Sequence, residues 1–153
     1  MKTRILLLLL PLVLLAAKCK DRRYRYGAES FILLEKGGCF GTCPIYQLRV
    51  NGVGEVSYHG ERFVEVEGKH QALLGPKETN ELFDAFEASR FWDFEDAYDD
   101  PNVVDLPTIY LTYSDGERSK RIKDYYGTPE ELKALEERVE AIAVRQGWLK
   151  KSP

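Results

Sequence analysis

Asn51-Gly52, set between two runs of alternating polarity, does most to limit what this chain can become. Both residues tolerate positive φ, so the pair reads as a tight hairpin turn, with Gly54 leaving room for a longer loop or a bulge. Before the turn, Ile45 to Val50 puts Tyr46, Leu48 and Val50 on one face and Gln47 and Arg49 on the other. After it, Glu55 to His59 returns as the partner strand and Gly60 ends it. A helix is predicted from Gly75-Pro76, where the missing N–H of proline is not needed. Its apolar stripe is Leu82, Phe83 and Phe86, with Glu81, Asp84 and Glu87 outside.

The same order then recurs. Ile109 to Tyr113 alternates, Asp115-Gly116 turns, and Arg118 to Asp124 comes back as a second hairpin. Thr128-Pro129-Glu130-Glu131 has the form of a capping box, in which the threonine and Glu131 would satisfy each other's free backbone N–H groups. Leu132, Leu135, Val139 and Ile142 recur at helical spacing, and Gly147 is placed to stop the helix. Hairpin then helix, twice, favours an antiparallel sheet with both helices packed on one face. The expected fold is therefore α+β, with about five or six strands once Phe31 to Glu35 and the alternating run Phe63 to Glu67 are added. The acidic, aromatic connection from Phe91 to Pro107 has no period and reads as a loop packed by its own rings.

Ahead of this domain stands Met1-Lys2-Thr3-Arg4, then Ile5 to Leu15, nearly all leucine, then Ala16-Ala17. Charged, apolar and small is the plan of a secretory signal. The run falls short of the roughly twenty residues that span a bilayer. The expected organisation is a signal peptide or N-terminal anchor over 1–17, a basic tether over 18–29 and a single domain over 30–149. Cys19 is the candidate for lipidation. Bacterial lipoproteins carry a small residue before that cysteine, whereas Lys18 stands there in this chain. Lipidation, cleavage after Ala17 and an uncleaved anchor thus all stay open. Five basic residues among Lys18 to Tyr26, against Asp21, also oppose clean translocation. The expected location is the cell envelope, periplasmic or on the outer surface, membrane-tethered or secreted. A net charge of −3 gives no reason to expect a nucleic-acid partner.

Of the three cysteines, Cys39 and Cys43 flank Phe40-Gly41-Thr42 and are close enough to pair. In an oxidising compartment a disulfide between them is expected, worth about 2 kcal/mol by loop entropy and fixing the shape of the loop. The sharper readings compete poorly. A redox dithiol usually has two intervening residues at a helix start. A zinc site would need further ligands, and His59 and His70 are the only histidines. A nucleophilic set of cysteine, one of these histidines and Asp105 has no local motif behind it. The acidic run Asp93, Glu95, Asp96, Asp99, Asp100 and Asp105 does not follow calcium-loop spacing and reads as a solvated loop. No glycine-rich phosphate loop, nucleophile elbow or paired-histidine helix is present in the sequence. No metal, cofactor or catalytic residue is therefore expected. Asp105, just before Leu106-Pro107, reads as a residue that caps a turn or lines a pocket beside the cysteine loop.

Cys39-Phe40-Gly41-Thr42-Cys43-Pro44-Ile45-Tyr46, with Gly52, Gly60 and Asp105-Leu106-Pro107, resembles the bacterial family catalogued as domain of unknown function 6438. Members of that family carry a Cys-x-Gly-x-Cys-Pro-x-Tyr core, often behind a lipoprotein signal. The likeness covers about residues 30–146. The family has no assigned activity, so the resemblance implies a setting and not a reaction. The expected function is non-catalytic binding of a small ligand or an envelope protein, with Tyr46 and Asp105 as candidate ligand-binding residues and a membrane lipid anchor as a further partner. A thiol-dependent enzyme or redox protein using Cys39 or Cys43, and a purely structural envelope component, are the competing readings.

Overall fold

The computed structural model describes residues 23–150; the leucine-rich segment, Cys19 and the first part of the basic tether lie outside them. Alternation becomes sheet wherever one side of a strand can be buried. Seven strands form: β1 (Phe31–Lys36), β2 (Ile45–Asn51), β3 (Glu55–Arg62), β4 (Gly68–Leu73), β5 (Ala97–Tyr98), β6 (Ile109–Ser114) and β7 (Ser119–Asp124). They make one sheet in the order β4-β3-β2-β1-β6-β7-β5. Two helices, α1 (Pro76–Ala88) and α2 (Glu130–Arg145), complete an α+β domain.

The strand count exceeds the expected five or six, and the sheet is mixed. Every neighbour pair is antiparallel except β5 with β7, which is parallel. β5 has two residues held by backbone pairing, too few to show any period in the sequence. A second difference lies at Phe63 to Glu67. That run alternates, yet Phe63 takes a left-handed φ of 58° and the chain bends there, so the fourth strand is Gly68–Leu73 instead. The Glu65 N–H reaches the Trp148 carbonyl and ties this bend to the residues after α2.

β1 lies at the centre, and its register fixes the core. Ile32 faces Val50 and Tyr113 across the two neighbouring strands, and Leu34 faces Leu48 and Leu111. All six are fully buried. Phe83 and Phe86 of α1 meet the Tyr113 ring with centroids 6.2 and 5.3 Å away, and Phe91, in a short 3-10 turn after α1, lies 5.4 Å from Phe86. Side chains of this size contribute about 1.5–3 kcal/mol each on burial, so the ring cluster is a main source of stability. The other face of the sheet has an amphipathic cover: Arg49 lies over Phe31 at 4.4 Å, and Arg121 over Tyr110 at 3.6 Å while bonded to Glu35. The guanidinium groups stay wet above apolar rings.

The capping box does not form. Pro129 is the N-cap, with extended backbone and no side-chain cap, and the Thr128 hydroxyl donates to Asp124 Oδ1 instead. The C-terminus matches expectation. Gly147 has φ of 73°, its N–H bonds the Val144 carbonyl, and the Trp148 N–H bonds that of Ala143. This is the Schellman arrangement, in which a left-handed glycine lets two orphan carbonyls be satisfied. It turns Trp148 inward to stack on Tyr58 at 5.0 Å.

Before β1, the chain from Arg23 to Ser30 is held against α1 and the β2–β3 turn. Tyr26 stacks on Phe83 at 4.8 Å and donates to Asp84, Asn80 bonds the backbone of both Arg23 and Arg25, and the Gly52 N–H bonds the Ser30 carbonyl. A Cβ on Gly52 would sit 2.2 Å from the Gly27 carbonyl oxygen, so this approach requires glycine.

Candidate functional site

One end of the sheet gathers most of the unusual chemistry. There β1, β3 and β7 finish while β2 and β6 begin, so the loop 37–44 closes over it and the loops 99–108 and 125–129 flank it. Register places four side chains in one row across the strands: Tyr46, Lys36, Ile109 and Asp124. α2 contributes Glu136 and Glu140, one turn apart and therefore on one side of the helix. An open pocket of about 220 Å³ lies among Ile109, Asp124, Lys133, Glu136, Glu137 and Glu140.

Each carboxyl here is treated differently. Glu140 Oε1 accepts from Lys36 Nζ at 2.8 Å and from the Tyr46 hydroxyl. Asp124 accepts from the Thr128 hydroxyl. Glu136 is only 5% exposed, and its Oε1 has no hydrogen-bond partner among the described residues. Leaving a buried acceptor unmatched costs about 1–3 kcal/mol. Burial, then the charge of Asp124 and a hydrogen bond with it, push the Glu136 carboxyl up to about 9. At neutral pH it is therefore an uncharged acid, held so first by burial and then by its neighbour Asp124. Burial and then Glu140 push the Tyr46 phenol far upward, so it serves only as a donor.

Cys39 and Cys43 are joined by a disulfide, with Cα atoms 5.7 Å apart. Gly41 N–H bonds the Cys39 carbonyl, and Phe40 stands 92% exposed at the loop tip. Tyr46 is only 1% exposed, its ring in the core and its hydroxyl on Glu140. Asp105 is exposed on the loop before β6, with a left-handed φ of 70°. Both residues belong to the same sheet end, one in its floor and one on its rim. Half of the acidic run is ion-paired: Asp93 with Arg90, Asp96 with Lys120 and Asp99 with Lys123. His70 bonds the Glu67 carbonyl, and among the described residues no three His, Cys, Asp or Glu side chains converge as metal ligands would.

Sequence reasoning missed Lys36, Asp124, Glu136 and Glu140. One signal was available for Glu136. It stands four residues after Leu132 and three before Val139, inside the apolar stripe of α2, where a charged residue is out of place.

Large apolar side chains are exposed unevenly. Phe40 follows β1, Phe63 follows β3, Val104 and Leu106 precede β6, and Tyr126 follows β7, all at this end; Leu73 is at the other. Comparison with curated proteins finds no match. A family model described as Domain of unknown function (DUF6438) matches residues 30–143, which include the disulfide loop and every residue lining the pocket. The chain belongs to the DUF6438 family.

Proposed function

We propose that this is a non-catalytic binding module of the cell envelope, engaging an envelope protein through the loop end of its sheet. In this reading the leucine-rich segment is an export signal, and Cys19 or the segment itself tethers the domain to a membrane. Both helices lie on one face of the sheet, so that α2 roofs the pocket while the apolar loops rim it. The supporting observation is the clustering of Phe40, Phe63, Val104, Leu106 and Tyr126 at one end, since concentrated rather than scattered apolar exposure marks interaction surfaces. The N-terminal stretch from Arg23 packs at the opposite end, beside the β2–β3 turn, so the apolar loops face away from any tether.

A photo-crosslinking amino acid at position 40 or 126 of the full chain, in its native host, is expected to yield a discrete protein adduct. The same group at position 73 serves as the opposite-end control. Adducts of equal yield at all three positions, none at any, or adducts with small molecules alone would overturn the reading.

The thiol chemistry that a catalytic alternative needs is absent while the bridge is intact. Thiol titration of the folded, oxidised protein is expected to find neither Cys39 nor Cys43 reactive. The double substitution Cys39→Ser/Cys43→Ser is expected to lower stability by about 2 kcal/mol in urea unfolding. A hyper-reactive thiol at either position would instead favour a thiol enzyme.

A further inference from the structure

Resting on the binding reading above, we propose that the pocket beneath α2 binds a primary ammonium group, seated between the carboxyls of Glu136 and Asp124. Four of its six lining residues are acids, Asp124, Glu136, Glu137 and Glu140, against the single cation Lys133. Lys36, which reaches the site from β1, is committed to Glu140. The pocket therefore repels anions and holds more acids than cations. Glu136 supplies a second, separate argument. It is a buried side chain lining the cavity whose Oε1 accepts from nothing among the described residues, which leaves an acceptor without a donor.

An ammonium group fits these features better than a bare metal ion. It carries three donors, which can be met by loosely arranged acceptor oxygens. A metal would need a converging ligand set, which is not found among the described residues. The volume of about 220 Å³ admits a methylene stem as well as the charged head, and Ile109 offers that stem an apolar wall. The amine could be a lysine side chain of a protein partner or a free small molecule; the recognising chemistry is shared.

Proton balance follows from the groups that face Glu136: Asp124 from β7, Lys36 from β1, Glu140 on its own helix, and Lys133 and Glu137 at the mouth. Tyr46, bonded to Glu140, also faces Glu136, and Thr128 approaches through Asp124. In the empty site Glu136 keeps its proton chiefly because it is buried, and then because Asp124 lies beside it. An entering ammonium supplies the missing positive charge, Glu136 ionises, and its proton leaves to solvent while the ligand stays protonated. Binding and deprotonation are thus linked, and affinity rises with pH until Glu136 is ionised without help.

The test is calorimetric titration of the folded full-length protein with n-butylammonium chloride, in buffers of different ionisation enthalpy. Saturable binding is expected with release of up to about one proton, roughly tenfold tighter at pH 8 than at pH 7. Glu136→Gln, which keeps the shape of the neutral acid, is expected to abolish proton release and the pH dependence and to weaken binding at pH 8 about tenfold. n-Butanol is expected not to bind. A short lysine-containing peptide binding more tightly than butylammonium would assign the amine to a protein chain, and equal affinity would assign it to a small molecule. No saturable butylammonium binding at either pH, binding that Glu136→Gln leaves unchanged, or proton release driven by calcium chloride instead would overturn the proposal. Crosslinking from positions 40 and 126 does not depend on Glu136, so its persistence would show the broader binding reading standing without this one.

Discussion

Between about pH 5 and pH 9 the folded domain is expected to lose stability steadily as the solution becomes more alkaline. The cause is Glu136, whose ordinary value of 4.5 rises to about 9 on folding, chiefly through burial and then through Asp124. Within that window the native chain holds a proton that the unfolded chain has released. Stability from this group is complete below the unfolded value and is lost as pH climbs through the folded one. Each pH unit should remove up to about 1.4 kcal/mol. At 5% exposure there is little solvent to soften the effect. Urea unfolding at several pH values measures the slope directly. Glu136→Gln, neutral throughout, is expected to flatten it and to exceed the parent in stability near pH 9. Parallel profiles for the two proteins would mean that Glu136 is already ionised in the native state.

Phe86→Ala is expected to cost about 3–5 kcal/mol, through lost burial and the cavity left behind. The ring is fully buried and touches both Phe91 and Tyr113, so the void cannot be filled by one neighbour alone. Against a typical total of about 5–15 kcal/mol, that loss leaves a marginal or unfolded domain. Phe40→Ala is the informative contrast. At 92% exposure it should change stability by no more than about 0.5 kcal/mol. Thermal melts of both variants test the pair of expectations together. A large loss from Phe40→Ala would mean that the loop tip is part of the packing and not a free surface.

The hairpins, the helices and the core faces were legible because burial on one side imposes a period. Tyr46, Leu48 and Val50 share a buried face as their spacing requires. β5 was hidden because Ala97 and Tyr98 are held by backbone bonds to β7, which leave no mark on side-chain pattern. Phe63 to Glu67 misled because Val64 and Val66 are partly buried as a bend against the core, and not as a strand. Thr128 misled for a local reason: the buried Asp124 side chain takes the hydroxyl that a helix cap would use. In the site, the disulfide was visible as a pair of nearby cysteines, whereas Asp105 was legible only as a residue that caps a turn or lines a pocket, and its left-handed backbone was not. The pocket was not, because Lys36 is far in sequence from Asp124, Glu136 and Glu140, and only sheet register and the packing of α2 bring them together. Glu136 alone broke the pattern of its own helix.

The central position of β1 has a mechanical consequence. It is the strand entered directly from the N-terminal stretch, and it is paired over its full length with β2 on one side and β6 on the other. Antiparallel backbone bonds run perpendicular to the strands. A pull applied through residue 23 would load both ladders in shear, so they must rupture together instead of unzipping one rung at a time. Such a domain resists a pull along β1 far better than one pulled from an edge strand.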